Sequence, residues 1–262
     1  MSRHWTESLF ADKFAELYIA TLEELIPSSI EDADGLENIF NEYGVPGDGL
    51  VLDLACGIGR HSTALAQKGY RVIGLDISKI FLERARILAE ERGVDVEFRR
   101  GDMRSVEEHL QDHAGRFDAV INMFTSLSYY DRETDLDIIR QLHALTKPGG
   151  ILVIDIVNRD WIIKNYEAKD IQYHEDGRVQ TIERRFDLED SRMRNTWRFY
   201  VKQGEDLKHQ ETFHVEHIVY SLHELKQLIQ KAGWTYKTCY GESDLFPFEM
   251  YSRRMILVSQ KQ

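Results

Sequence analysis

The chain has little cysteine, little proline and no long apolar run. Its 262 residues include two cysteines and four prolines, with no low-complexity tract or internal repeat. Two cysteines, Cys56 and Cys239, cannot build a disulfide framework, which favours a reducing compartment. No apolar run approaches the roughly 18 residues of a membrane span, and the first 30 residues lack the apolar core of an export signal. We therefore expect a cytoplasmic protein with no membrane contact.

The composition is that of an acidic globular protein. Hydrophobic residues make up 42% and charged residues 30%, and the formal net charge is -12. A chain of this size can bury a large core, as one domain or as a domain with an insertion. Because an acidic protein repels phosphate backbones, broad nucleic-acid binding is disfavoured unless a local basic face compensates.

The central part of the chain alternates short apolar runs with amphipathic segments. Ser78 can cap a helix that stops at Gly93, and Asp131 can cap another that ends at Lys147-Pro148-Gly149-Gly150. Near-continuous apolar strands separated by helices predict a parallel sheet covered on both faces. The predicted strands are Leu50–Ala55, Arg71–Asp76, Val94–Arg99, Phe117–Met123 and Ile151–Val157.

The segments on either side complete the predicted fold. Apolar spacing predicts one helix over residues 5–26 and another near 36–43. Ser221 to Glu224 forms a capping box for a helix that closes at Gly233. Further β stretches are predicted at 181–188, 194–201, 211–220, 234–240 and 255–259.

We therefore expect a doubly wound α/β fold with a mostly parallel seven-stranded sheet and an antiparallel β insertion. Residues 1–157 and 221–262 form the α/β domain in this interpretation, and residues 158–220 form the insertion. The insertion is expected to cover the carboxyl ends of the strands, where such sheets bind ligands.

A glycine turn follows the first predicted strand. It contains Gly57 and Gly59, and the second strand ends in Asp76. A glycine turn lets the backbone approach a cofactor, and an acid one βαβ unit later can bind the two hydroxyls of a ribose. A nicotinamide fingerprint would require a third glycine where Ser62 stands.

The turn from Asp53 to Gly59 resembles motif I of the class I S-adenosylmethionine-dependent methyltransferases. The similarity continues through Asp76, Gly101-Asp102-Met103, Ile121 to Phe124 and Leu145 to Gly150, and it spans about residues 50–157 and the closing strands. The N-terminal segment around Tyr18 resembles small-molecule N-methyltransferases, where a tyrosine closes over the cofactor. The resemblance implies an S-adenosylmethionine site formed by Tyr18, Asp53, Ala55, Cys56, Gly57, Gly59, Asp76, Ile77, Gly101, Asp102, Met103, Asn122 and Met123.

Several of these residues also have a purely structural interpretation. The glycines can serve a tight turn alone, and Asp53 can brace the loop amides instead of touching a ligand. Cys56 is expected to be a small packing residue and not a nucleophile. Core packing accounts for Tyr18 as well as a cofactor contact does.

Methyl transfer from a sulfonium is an in-line displacement, so the protein mainly aligns the reactants in a dry site. The absence of an obvious catalytic motif is therefore expected. Candidate acceptor-side residues are Tyr129, Asn158, Arg159 and Trp161, although a tryptophan such as Trp161 more often anchors an insertion. Methyltransferases of sugar amines carry a histidine near the position of Tyr129, which puts that role in doubt here.

The pattern of histidines and arginines does not indicate a metal site or a nucleic-acid site. His109 and His113 have helical metal spacing without a further ligand, and His214 and His217 should point to opposite faces of a strand. The arginines of the insertion alternate with acids, which favours cross-strand ion pairs over a surface for RNA or an anionic substrate. The alternatives are an RNA or protein methyltransferase, a nicotinamide-dependent oxidoreductase and a cofactor-binding protein without catalysis.

Overall fold

The computed structural model describes residues 5–10, 13–174, 176–242 and 245–262. The helices are α1 (Trp5–Leu9), α2 (Lys13–Glu23), α3 (Ser29–Glu42), α4 (Arg60–Gln67), α5 (Lys79–Arg92), α6 (Val106–His109), α7 (Arg132–Leu145), α8 (Arg159–Lys164) and α9 (Leu222–Lys231). The strands are β1 (Leu50–Leu54), β2 (Arg71–Asp76), β3 (Glu97–Arg100), β4 (Phe117–Asn122), β5 (Thr146–Val157), β6 (Lys169–Tyr173), β7 (Arg178–Asp187), β8 (Arg192–Gln203), β9 (Asp206–Ile218), β10 (Thr235–Tyr240) and β11 (Arg254–Gln260).

Seven strands form the larger sheet in the order β10-β11-β5-β4-β1-β2-β3. Strands β1 to β5 run parallel, and β11 pairs antiparallel with both β5 and β10. The prediction of a doubly wound, mostly parallel sheet is confirmed. The strand order reverses between β1 and β4, and open sheets of this type bind ligands at the carboxyl ends of the strands on either side of such a reversal.

The core lies on both faces of this sheet. Successive residues of β1 point to opposite sides, so Leu52 packs in one buried cluster and Val51 in the other. Ile154 of β5 joins the first cluster, and Ile121 of β4 joins the second. Both clusters exclude water, which explains the uninterrupted apolar runs in the sequence.

The predicted helix caps are present. The Ser78 hydroxyl accepts a hydrogen bond from the Phe81 amide, and Gly93 ends α5 with a left-handed φ of 65°. Asp131 caps α7, and Ser221 begins α9 in a complete capping box. These caps satisfy amides that would otherwise lack partners, so the local sequence determines where the helices start.

The smaller sheet is an antiparallel meander in the order β6-β7-β8-β9. It lies between β5 and α9 in the chain, as predicted, and its three main strands are longer than the sequence indicated. Strand β6 and helix α8 were not predicted. Both are short, and five or six residues carry too little periodicity to be recognised.

Other predicted boundaries were wrong. Residues 5–26 form two helices, α1 and α2, and residues 11–12 lie outside the described part of the chain. Strand β3 starts at Glu97 because the Val94 amide still bonds to Ala89 O at the end of α5. The predicted turn at 147–150 lies within β5, whose pairing continues through two hydrogen bonds with Lys261. Helix α3 is longer than the predicted segment at 36–43.

The arginines of the smaller sheet are mostly ion-paired, as expected from the alternating charges. Arg194, for example, lies 2.9 Å from Asp187 and 3.0 Å from Asp190. Five of the six, all but Arg185, pair with carboxylates among the described residues: Arg178, Arg184, Arg192, Arg194 and Arg198. No helix in the described ranges combines the length and apolar character needed to cross a membrane.

Asp135 is a fully buried acid on the inner face of α7. Its Oδ2 accepts a hydrogen bond of 2.7 Å from the Tyr220 hydroxyl, while Oδ1 has no partner in the described part of the chain. Burial raises the pKa of Asp135 to about 7. The carboxyl is therefore protonated in the folded protein at mildly acidic pH and becomes a buried charge as the pH rises.

We expect Asp135→Asn to stabilise the protein increasingly with pH. In the unfolded chain the Asp135 carboxyl ionises near pH 4. The free energy of unfolding of the wild type therefore falls as the pH rises from that value to about 7. Asn stays neutral, and its gain over the wild type should grow by about 2 kcal/mol from pH 5 to pH 8. Urea unfolding at both pH values tests this. Asp137→Asn, at an exposed position of the same helix, is the control. An equal effect at the two pH values would contradict the interpretation.

Candidate functional site: a cavity at the strand reversal

A cavity of about 970 Å³ opens at the carboxyl ends of β1, β2 and β4 and extends to the inner face of the smaller sheet. Its volume is at the upper end of the roughly 300–1,000 Å³ that small-molecule sites occupy. The predicted residues on its wall are Tyr18, Ala55, Cys56, Gly57, Asp76, Ile77, Gly101, Asp102, Met103, Met123, Tyr129 and Trp161. Most of the residues that the resemblance implied are thus brought together.

The glycine turn after β1 shapes one wall. Ala55, Gly57 and Gly59 all have left-handed φ values, of 58°, 57° and 73°. A Cβ on Gly59 would lie 2.8 Å from a ring atom of Phe98, so packing requires glycine there. The space beside Gly57 is open, with Leu22 as its nearest neighbour at 3.9 Å. Gly59 therefore serves the fold, and Gly57 forms cavity wall.

Asp76 ends β2 beneath this turn and is 7% exposed. One carboxylate oxygen accepts from the Gly57 amide and the other from the Ser78 amide, each at 2.8 Å. Burial raises the pKa of Asp76 to about 6, partly opposed by these amide hydrogen bonds. Each oxygen keeps further lone pairs, so the group can accept two hydroxyl hydrogen bonds from a ligand.

The segment after β3 forms the adjacent wall. Asp102 lies 2.5 Å from the Arg104 guanidinium, and although burial acts to raise its pKa, the hydrogen bonds from Arg104 lower it. Met103 is buried beside it. His109 packs against Gly101 and accepts a hydrogen bond from the Asp102 amide at 3.2 Å. His109, which has helical metal spacing with His113, thus supports this loop.

Aromatic rings connect α2 to the smaller sheet above the cavity. We call this set the aromatic roof: Phe14, Tyr18, Trp197 and Phe213. The Tyr18 ring stacks on Phe14 at 5.0 Å and lies 5.6 Å from Trp197, and Phe14 contacts Phe213 edge-on at 4.9 Å. Tyr18 therefore packs in this aromatic cluster and also lines the cavity.

Four predicted residues lie behind the cavity wall. Asp53 is 1% exposed and accepts a hydrogen bond from Ser62 at 2.5 Å, so it braces the start of α4. Asn122 is fully buried, and its amide donates to Leu54 O at 2.9 Å. Asn158 caps α8 and donates to Ser252 O. With Gly59, these residues hold the site from behind, and none of the four is part of the cavity wall.

Cys56 and Trp161 have mainly packing roles. The Cys56 sulfur fills the space beside Gly74, where a Cβ would approach it to 2.9 Å. Burial raises the pKa of the Cys56 thiol well above its usual value, so it is a poor nucleophile. Trp161 packs under the smaller sheet, with the Arg253 guanidinium 5.5 Å from its ring, and also reaches the cavity.

A strained loop after β4 went unrecognised in the sequence. Phe124 and Thr125 both have left-handed φ values, 61° and 66°, and both line the cavity. Asp155 holds them, because its carboxylate accepts from the Phe124 amide at 3.0 Å and its carbonyl from the Thr125 amide at 2.9 Å. Arg254 pairs with the same carboxylate at 2.6 Å. This brace compensates the backbone strain.

The smaller sheet contributes a polar wall that the sequence did not predict. We call this the insertion wall: Gln180, Asn195 and His217, with His174 beside them. His174 bridges Glu24 of the loop after α2, at 3.2 Å, and Gln180, at 3.3 Å. His217 faces the cavity, and His214 bonds to Thr196, away from it. The prediction that these two histidines point to opposite faces is confirmed.

No three His, Cys, Asp or Glu side chains within the described ranges are placed to hold a metal ion.

The cavity has two chemically distinct parts. One is a backbone turn with carboxylates at the strand ends, suited to a nucleoside. The other is a polar wall of amide and imidazole groups under the aromatic roof, suited to a small second ligand.

We expect Asp155→Ala to destabilise the protein by about 3 kcal/mol, because it leaves a mostly buried guanidinium and a strained amide without their partner. Urea unfolding measures the loss. Asp160→Ala removes a more exposed acid, 3.6 Å from Arg159, and should cost less than about 1 kcal/mol. Equal losses in the two variants would show that the brace contributes nothing special.

Comparison with known proteins bears on this arrangement. Residues 51–150 match the family described as a methyltransferase domain. A ubiquinone biosynthesis O-methyltransferase of Vibrio parahaemolyticus is 36% identical over 138 residues, which are 52% of this chain and 51% of that protein. A protein of the same name from Pseudomonas aeruginosa is 36% identical over 111 residues, 42% of this chain and 45% of that one. The chain thus matches about half the length of these relatives.

Solved structures share the fold over nearly the whole chain. An S-adenosylmethionine-dependent methyltransferase from Clostridium acetobutylicum superposes with a TM-score of 0.77 at 18% identity, covering 95% of this chain and 97% of that one. CalS10, an amino pentose methyltransferase from Micromonospora echinaspora, gives 0.69 at 20% identity, covering 94% and 97%. At such identities the likeness concerns the fold, including the second sheet.

Proposed function

We propose, from the membership of this chain in the class I S-adenosylmethionine-dependent methyltransferase family, that it methylates a nitrogen or oxygen atom of a small molecule. The observation that carries this proposal is the continuity of the cavity. One space joins the turn and carboxylates at the strand ends to the insertion wall. Two ligands can therefore meet without crossing solvent.

The residues at the strand ends fit S-adenosylmethionine. The Asp76 carboxylate would accept the two ribose hydroxyls, beside the open backbone at Gly57. Asp102, Met103 and Ile77 would surround the adenine, and Ala55, Cys56 and Met123 the methionine part. Tyr18 would cover the cofactor from the aromatic roof. Asp53, Gly59 and Asn122 would act from behind by fixing the turn and the strand ends.

When bound, S-adenosylmethionine supplies a methyl group on a positively charged sulfur. The chain's own residues have three tasks. The strand-end residues fix the cofactor, the aromatic roof excludes water and presents ring faces that favour a cation, and the insertion wall holds the acceptor. In-line displacement then needs no further electrophilic group from the protein.

The acceptor side supports a small polar molecule. The insertion wall is formed by amides and imidazoles, while Asp170 and Arg184 at its edge form an ion pair at 2.9 Å. Among the structural neighbours, CalS10 is an amino pentose methyltransferase and KedS8 is a sugar N-methyltransferase. Amino sugars are therefore the first acceptors to test, with phenols second because the curated relatives are O-methyltransferases.

The insertion, residues 158–220, would act as the cover of the active site, since strands β6 to β9 supply the insertion wall. Its arginines are largely used in ion pairs, which argues against an extended contact with RNA. A cytoplasmic location is part of the proposal, because both cysteines are buried free thiols.

Calorimetry with S-adenosylhomocysteine, the demethylated cofactor, tests the cofactor site. We expect micromolar binding that weakens about tenfold from pH 7 to pH 5, because Asp76 protonates near pH 6. Asp76→Asn should bind 10- to 100-fold more weakly, at roughly 1.5–3 kcal/mol for lost hydrogen bonds to a charged group, and without this pH dependence.

Asp95→Asn, at an exposed acid before β3, is the matched control and should bind like the wild type. Unchanged affinity in Asp76→Asn would refute the proposed position of the ribose. Methyl transfer itself is followed as S-adenosylhomocysteine release with amino sugars, phenols and bulk tRNA as acceptors. Turnover with tRNA alone would contradict the small-molecule proposal.

A further inference from the structure

His217 stands out among the groups of the insertion wall. It lies on β9 opposite Met193 of β8, and both side chains line the cavity. His174 and His61, the other histidines of the cavity, are engaged with Glu24 and Asp32. His217 has no hydrogen-bond or ion-pair partner in the described ranges, and neither ring nitrogen is sealed from the cavity. Its ring can therefore bond to a ligand.

The position of His217 relates it to the methyl-transfer end of the cavity. The next residue, Ile218, donates its amide to Ser128 O at 2.8 Å, and Arg192 donates to Tyr130 O at 3.1 Å. These bonds tie the end of β9 to the loop that follows β4. Tyr129 of the same loop lines the cavity. His217 thus lies where the insertion wall meets the strand ends.

Most charged groups around the cavity are already engaged. Arg192, on the neighbouring strand, pairs with Glu216 and Asp190. The cavity carboxylates are held by other groups: Glu24 by His174, Asp102 by Arg104, Asp170 by Arg184, and Asp76 by two amides. Glu167 has an exposed side chain at the rim. Burial raises the pKa of Tyr129, which stays neutral.

We propose that His217 is a catalytic residue that accepts a hydrogen bond from the methyl acceptor during transfer. This inference rests on the proposed function. The neutral imidazole accepts a hydrogen bond from the N–H or O–H of the acceptor and so directs a lone pair of that atom toward the methyl group. As the new C–N or C–O bond forms, the C–S electron pair goes to sulfur. With an amine acceptor the proton stays on the ammonium product until it passes to solvent, and with a hydroxyl acceptor the strongly acidic oxonium proton passes through the imidazole to solvent.

The electrostatic surroundings keep His217 in the form that this role needs. Burial and, secondarily, the nearby Arg192 charge lower the pKa of His217 to about 4. The ring is therefore neutral across the physiological range and carries a free acceptor nitrogen.

Substitution at His217 tests the proposal with the acceptor that the wild type turns over best. We expect His217→Asn to lower kcat by roughly 100-fold, while the affinity for S-adenosylhomocysteine stays within twofold of the wild type. His214→Asn, on the outer face of the same strand, is the matched control and should retain wild-type turnover. Wild-type kcat in His217→Asn would overturn the inference.

A measurement on the wild type tests the inference without a variant, so a folding defect of the variant cannot affect the result. Imidazole nitrogen NMR should show His217 neutral from pH 6 to pH 8 in the free protein, and its shift should change on addition of the amino sugar to the S-adenosylhomocysteine complex. An unchanged shift would overturn the inference. Failure of the wild type to bind S-adenosylhomocysteine would instead contradict the proposed function, so the two failures are distinguishable.

Discussion

The site depends on two neighbouring parallel strands, β1 and β4. They end side by side, and the chain leaves each of them in a different direction. Asn122 holds this arrangement. Its side-chain NH₂ group donates to Leu54 O at the end of β1, and its side-chain carbonyl oxygen accepts from the Leu127 amide beyond β4. Since Asn122 is fully buried, these bonds compete with no solvent. Several residues that line the cavity, among them Ala55, Met123 and Phe124, lie within a few residues of this junction.

Backbone strain is concentrated at the same place. Ala55, Phe124 and Thr125 adopt conformations that glycine would adopt more easily, and all three border the cavity. Asp155 and Arg254 hold the two residues after β4, in a pair formed between neighbouring antiparallel strands. The rigid sheet thus maintains a loop geometry that the loop's own sequence disfavours, as is usual at binding sites.

The sheet and the part of the cavity at the strand ends could be predicted from sequence because their signals are local. Apolar runs, caps and a glycine turn each occupy a few adjacent residues, and Asp76 and Met103 follow strands directly. The part of the cavity on the smaller sheet could not be predicted. The sequence predicts only that His214 and His217 point to opposite faces of a strand, and the folded meander is needed to show that the His217 face looks into the cavity. Asp53, Asn122 and Asn158 matched the expected pattern and proved to lie behind the wall.

The aromatic roof determines how the cavity responds to its solvent. Helix α2 meets the smaller sheet chiefly through Phe14, Tyr18, Trp197 and Phe213, with Lys13 and Glu211 as an exposed pair at the edge. Dissolved ions screen exposed charge pairs but leave ring-to-ring packing intact, and excluded salts even strengthen apolar burial. Although Arg178 also donates to Leu17 O, the ring packing that holds α2 on the smaller sheet is therefore little affected by ionic strength, and cooling or organic cosolvent weakens it.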